Sequence, residues 1–259
     1  MAGTEPAGAG HDGAPATVVL VHGAWHGAWC WERVVDGLRA RGTDARAVDL
    51  PGHGEDAGPA GDLHADAARV RQMIDAVAGP VLLVGHSYGG AVITEAGEHP
   101  AVAHLVYLCA IAPDAGETCT TAVTGIAGGA GIVDDGRPNL ASGILPGTDG
   151  TMTVEPSVAA ACLYNDCDPE STAWAVARLG PQPIVTLQQD PHAVAWRTRP
   201  STYVVCTEDL AIPPELQRVL AQRCTETVEW NAGHSPFLSQ PHVVTELLDD
   251  LARRAGPGA

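Results

Sequence analysis

The 259-residue sequence contains no lysine; all 14 of its basic residues are arginine. Schiff-base chemistry through a lysine amine is therefore excluded. No apolar run reaches 18 residues, so no membrane-spanning helix is expected. The opening Met1-Ala2-Gly3-Thr4-Glu5-Pro6 lacks the basic and apolar regions of a secretory signal. The cytoplasm is the expected compartment, and the Gly/Ala-rich residues 1–15 read as a disordered leader. Seven cysteines in irregular spacing, an odd number, predict free thiols rather than a disulfide framework. No cysteine pair has zinc-ligand spacing, and Cys162 and Cys167 read as packing residues. No close His/Asp/Glu cluster argues for a metal, and no cofactor is implied. There is no internal repeat. Basic residues are also few against 31 acidic ones, giving a formal net charge of −17. A field of that sign repels phosphate backbones and anionic lipid. Neither nucleic acid nor a membrane is an expected partner; a small-molecule substrate is.

Short apolar runs alternating with helical patterns predict an α/β fold with a mainly parallel sheet flanked by helices. Strands are expected at 17–21, 44–50, 81–84, 103–109, 202–206 and 226–230. Helices are expected at 31–41, 63–77, 89–97, 214–223 and 243–254. The run Val81–Val84 is apolar throughout, as a strand covered on both faces requires. Between 113 and 200 the rhythm breaks into a Gly-, Thr- and Ala-rich stretch with helical patterns near 158–164 and 171–179. An insert of this size in a regular domain reads as a functional cap. The expected organisation is a core of residues 16–112 and 201–254, and a cap of residues 113–200.

Gly85-His86-Ser87-Tyr88-Gly89 fits Gly-x-Ser-x-Gly, in which a serine stands on a strained strand-to-helix turn. With 30 Gly and seven Ser, chance supplies such a pattern in roughly one chain in ten, so the pentapeptide alone is weak. Its position directly after an apolar strand and directly before a helix gives it force. Val21-His22-Gly23-Ala24-Trp25 ends the first strand. Together with the residue after the serine it offers two backbone N–H donors, on Ala24 and Tyr88, for a developing oxyanion. Val204-Val205-Cys206-Thr207-Glu208-Asp209 ends a late strand with two candidate carboxylates, Asp209 and its competitor Glu208. Asp114, after an earlier strand, is a weaker alternative. Ala232-Gly233-His234-Ser235-Pro236 follows the last strand and supplies a candidate base. The chain order Ser87, Asp209, His234 is the one this elbow requires. Among the other histidines, His86 is expected to point into the scaffold and His53 to belong to a turn. His26 is a candidate for the pocket mouth.

These pieces resemble the α/β-hydrolases of the methyl-salicylate-esterase and hydroxynitrile-lyase branch and their bacterial esterase relatives. The resemblance rests on Val21-His22-Gly23-Ala24-Trp25-His26-Gly27-Ala28-Trp29-Cys30-Trp31, the elbow, Leu163-Tyr164-Asn165-Asp166-Cys167, and Val205-Cys206-Thr207-Glu208-Asp209 with Ile212-Pro213. It covers most of 16–254 and weakens over 115–155. It implies Asp209 rather than Glu208 as the acid. The lyases of the branch carry Lys after the catalytic His and Thr in the oxyanion loop; Ser235 and Gly23 stand here, which favours the esterases.

The expected activity is hydrolysis of a small or medium carboxylic ester through an acyl-enzyme, with Ser87 as nucleophile, His234 as base and Asp209 orienting it. The alternatives are the same triad used on a lactone, a C–C bond or a polyketide, or a ligand-binding protein without turnover. Apolar cap residues such as Ile126, Ile132, Val133, Ile144, Leu145 and Leu163 are expected to wall the substrate, with His26, Ile144 and Leu163 touching it. A homodimer interface is the alternative role for the cap.

Overall fold

The structure, a computed structural model, describes residues 14–56, 58–130 and 138–256. Most of the expected leader, together with Ile132, Val133 and the side chain of Ile126, lies outside them.

Six strands form one parallel sheet: β1 (Thr17–Val21), β2 (Ala45–Val48), β3 (Val81–His86), β4 (Val102–Leu108), β8 (Ser201–Cys206) and β9 (Glu226–Trp230), in the order β2-β1-β3-β4-β8-β9. β1, β3 and β8 are buried along their whole length, and the sequences of β1 and of β3 up to Val84 run apolar without alternation as that burial requires. The first crossover, through α1 (Glu32–Ala40), runs from β1 outward to β2. Those through α2 (Leu63–Asp75) and α3 (Gly89–Ala96) run the opposite way along the sheet. Right-handed crossovers then put α1 on one face and α2 and α3 on the other. The packing pairs agree: α1 lies against α9 (Pro241–Arg254), and α2 against α3. α7 (Pro214–Ala221) joins β8 to β9, and the short α8 (Pro236–Ser239) precedes α9.

The strand order reverses between β1 and β3, and this reversal opens a crevice at their carboxyl ends. Register brings those ends level. Val21 and Tyr107 both pair with Gly85, Leu108 pairs with His86 and Val204, and Cys206 with Trp230. The loops after β1, β3, β4, β8 and β9 therefore emerge side by side.

The insert holds more regular structure than its composition predicts. Helices α5 (Pro156–Leu163) and α6 (Pro169–Val176) fall near the expected positions. The sequence reading missed α4 (Cys119–Ala130) and a small antiparallel sheet of β5 (Ile144–Pro146), β6 (Thr151–Val154) and β7 (Gln182–Pro183). β5 and β7 have two or three residues each, too short for periodicity to register. All seven cysteines are free. No helix among the described residues is long and apolar enough to cross a membrane.

Candidate active site

Ser87 sits between β3 and α3 with φ of +52°, the left-handed region a β-carbon disfavours. The surroundings over-determine that turn. The Ser87 N–H donates to Leu108 O (3.3 Å), and its carbonyl accepts from Gly90 and Ile111 N–H, both at 3.0 Å. The flanking glycines are required by contact. A Cβ on Gly85 would lie 2.5 Å from Gly89 O, and one on Gly89 2.6 Å from His22 O.

Asp209 is buried in the turn after β8, and its carboxylate is surrounded by donors. Oδ1 accepts from Ala211 N–H (2.7 Å) and Ile212 N–H (2.9 Å). Oδ2 accepts from Gln217 Nε2 (2.8 Å) and from His234 Nδ1–H (2.7 Å). His234 is thereby oriented with Nε2 left for chemistry. Glu208 is exposed and makes no such contact; its backbone carbonyl accepts from Asn165 Nδ2 (2.9 Å). Asp114 is paired with Arg197. The hydrogen bonds of the described residues include none between Ser87 Oγ and His234. The ring of His86, the residue before Ser87, lies 4.6 Å from the His234 ring. Catalytic contacts often tighten only when substrate is bound.

The N–H groups of Ala24 and Tyr88 donate to no acceptor among the described residues, whereas the neighbouring Trp25 N–H is taken by Gln182 Oε1 (3.2 Å). Two free donors thus remain, one after β1 and one after the serine. A Cβ at Gly23 would lie 2.9 Å from Ser87 Cβ and 2.8 Å from His86 Nδ1. The threonine of the lyases has no room there.

A cavity of about 450 Å³ opens over Ser87, Ala24 and Tyr88. Ile111, Val123, Leu140, Ile144, Leu187, Ile212 and Leu216 give it apolar walls, and Thr120, Thr124 and Asn139 its few polar groups. Among the described residues, no charged side chain lines it. Cys119 also reaches it, but burial pushes that thiol up to about 12, so it supplies no thiolate. A second, more polar cleft of about 490 Å³, lined by Trp29, Arg33, Ser171 and Trp174 among others, does not include Ser87.

Of the three residues expected to touch substrate, only Ile144 lines the cavity. His26 is buried behind the loop that follows β1. Its Nδ1–H donates to Ala24 O (2.7 Å), its Nε2 accepts from the Tyr164 hydroxyl (2.8 Å), and burial lowers its pKa to about 4. It fixes the loop bearing Ala24 instead of facing the pocket. Leu163 is also buried, in the core contacts of α5. His86 points into the scaffold as expected, donating from Nε2 to His234 O (2.9 Å).

The segment 163–167 of the insert works as a clasp. Asp166 Oδ2 accepts from Gly233 N–H (2.7 Å) and from the Ser239 hydroxyl (2.9 Å), and Asn165 holds the Glu208 carbonyl. One segment of the insert thus ties down both the Asp209 loop and the His234 loop.

Two buried polar residues escaped the sequence reading. Gln217 accepts Cys206 N–H (2.9 Å) on Oε1 while Nε2 serves Asp209 and Ile212 O. Asp66 takes the Tyr88 hydroxyl on Oδ2 (2.6 Å), and its Oδ1 is buried without a partner. Each sits on the buried face of an otherwise apolar helix stripe, Leu216 and Leu220 on α7 and Leu63, Ala67, Val70 and Ile74 on α2. A polar residue in such a stripe was the signal available.

Burial pushes the Asp66 carboxyl up to about 7. The folded chain therefore holds a proton that the unfolded chain releases near pH 4, and stability falls as pH rises from about 4 to 7. Asp66→Asn should remove that slope. We expect the variant to match wild type in urea unfolding at pH 4 and to exceed it at pH 8, by at most about 4 kcal/mol. Equal pH slopes for the two proteins would refute the assignment.

A model of the alpha/beta hydrolase family matches residues 18–247. The chain belongs to that family. Among curated relatives, the alpha/beta hydrolase nvfD of Aspergillus novofumigatus is 29% identical over 92% of this chain and 97% of its own. Methylesterase 10 of Arabidopsis thaliana is 26% identical over 91% of each. Among solved structures, a pyrethroid hydrolase from Sphingobium faniae JZ-2 superposes with a TM-score of 0.77 at 26% identity, covering 92% of this chain and 97% of that one.

Proposed function

We propose that this chain hydrolyses uncharged carboxylic esters of small or medium size through an acyl-enzyme on Ser87. The observation that carries the reading is the buried Asp209–His234 hydrogen bond of 2.7 Å, set at strand ends level with the strained Ser87 turn. The esterases and hydrolases among the relatives support the substrate class.

In this reading Ser87 Oγ attacks the ester carbonyl while His234 Nε2 takes its proton. The carbonyl oxygen becomes an oxyanion held by Ala24 and Tyr88 N–H, each donor of this kind being worth ~10²–10³ in rate. Collapse expels the alkoxide, which receives the proton from His234. His234 then takes a proton from water, the hydroxide attacks the acyl carbon, and Ser87 leaves with that proton as the free acid is released. Asp209 holds the tautomer throughout and stabilises the imidazolium.

The described lining of the cavity carries no charged group, which favours a neutral substrate, since a carboxylate there would lose its hydration without a partner among those residues. p-Nitrophenyl acetate, butyrate and benzoate should turn over, with a burst of p-nitrophenolate. The hemisuccinate, with its second carboxylate, should react at least about tenfold more slowly. Absence of turnover across such a panel, with a panel of lactones cleaved instead, would transfer the site to lactone chemistry. Ile144, which lines the cavity at 144, should tune this selectivity. Ile144→Ala should change the benzoate/acetate ratio of kcat/KM by about 10-fold, the worth of one or two methylenes in an apolar pocket. The buried Leu163→Ala should instead lower Tm. An unchanged ratio in Ile144→Ala would remove the cap from substrate selection.

A further inference from the structure

We propose that His64, Glu95 and His192 form a surface site for one divalent transition-metal ion of the zinc class. The three come from separate elements: the first turn of α2, the last turn of α3, and the return of the cap toward β8. One ligand atom from each lies within 4.8 Å of the other two. Two imidazoles and a carboxylate are the donor set that Zn²⁺, Ni²⁺ and Co²⁺ accept, with water completing the shell.

The carboxylate is already fixed. The Glu95 side chain is 3% exposed, Oε2 accepts the His192 backbone N–H at 3.1 Å and the His64 Nδ1–H at 2.8 Å, and His192 Nδ1 lies 4.0 Å from Oε1. Gln189, three residues before His192, bonds Leu63 N–H (2.9 Å) and Asp62 (3.1 Å), so the cap backbone is anchored beside His64. The His64 and His192 rings stack 3.6 Å apart and 4° from parallel, with both Nδ1 edges toward the same carboxylate. Ligation of a common ion requires the stack to open. His192 is 73% exposed and free to turn, and the ion takes the place of the proton shared by His64 and Glu95. The cation now beside the site is Arg71, 3.6 Å from Glu95 Oε1 and 37% exposed. It neutralises the carboxylate and competes with the ion. The net charge of −17 favours a cation over the rest of the surface. A second trio, His86, Cys109 and His234, is as close, but it is buried and contains the ring held by Asp209.

An ion here would clamp the cap's return to α2 and α3 without touching Ser87. The full chain, stripped with EDTA and dialysed, is titrated with Zn²⁺ by calorimetry and with Co²⁺ by visible absorption. One ion per chain is expected. His64→Ala and His192→Asn should each weaken it at least about tenfold, while Arg71→Met, which removes the competing charge, should tighten it. Zn²⁺ should raise Tm in wild type and not in His192→Asn, whose exposed side chain is dispensable for folding. Ester turnover should stay within about twofold with the ion bound. Absence of saturable binding, or equal affinity in wild type and both histidine variants, would overturn the site. So would loss of turnover in step with occupancy, which would place the ion on the buried trio.

Discussion

Ser87→Ala should lower kcat/KM for p-nitrophenyl esters by about 10⁴–10⁶, the range seen when a triad nucleophile is removed. The fold should survive. Ser87 Oγ makes no hydrogen bond among the described residues, so removing it leaves no buried partner unsatisfied. The backbone contacts that hold the turn, to Leu108, Gly90 and Ile111, do not involve the side chain. Alanine carries the same Cβ at φ of +52° and so bears the same strain as serine. Tm should therefore move by no more than a degree or two while activity disappears. A fluorophosphonate probe should label wild type at Ser87 and leave the variant unlabelled. Activity within tenfold of wild type, in protein free of contaminating esterase, would remove Ser87 from the mechanism.

Much of this was legible because the signals were local. The apolar run 81–84 and the glycines at 85 and 89 report a buried strand and a tight approach of helix to strand, both set by neighbouring residues. Asp209 and His234 were legible because strand ends in a parallel sheet come level, so residues just after β8 and β9 must meet. What depends on distant partners was not legible. His26 sits in the loop after β1 like a pocket residue, yet Tyr164, 138 positions away, pulls it into the scaffold. Leu163 looked like a pocket wall because its segment is apolar, a property core and cavity share. Gln182, which holds Trp25 N–H and lies 2.9 Å from His53 Nε2, carries no pattern of its own.

Asp209→Asn should cost about 10⁴ in kcat/KM, as in a serine-protease triad, against less than about twofold for Glu208→Gln. The reason lies in the donors around the carboxylate. Oδ1 faces two backbone N–H groups, and Oδ2 faces Gln217 Nε2 and His234 Nδ1. An asparagine amide has one oxygen and one NH₂. With the NH₂ toward Ala211 and Ile212 it meets two fixed donors and the turn must open. With the NH₂ toward His234 it meets Gln217 and forces the imidazole to accept at Nδ1, which puts the proton on Nε2, where the Ser87 proton must go. Gln217 cannot turn to relieve this, since its Oε1 is held by Cys206 N–H and its Nε2 also serves Ile212 O. Asp209→Asn should thus lower stability as well as rate, by the 1–3 kcal/mol or so that an unsatisfied buried group costs, read as a fall in Tm. Glu208 points to solvent, and its described bonds run through the backbone, its N–H donating to Ala232 O (3.0 Å) and its carbonyl accepting from Asn165 Nδ2, both of which Gln preserves. If Glu208→Gln proves the more damaging change, the orienting role belongs to a group other than Asp209.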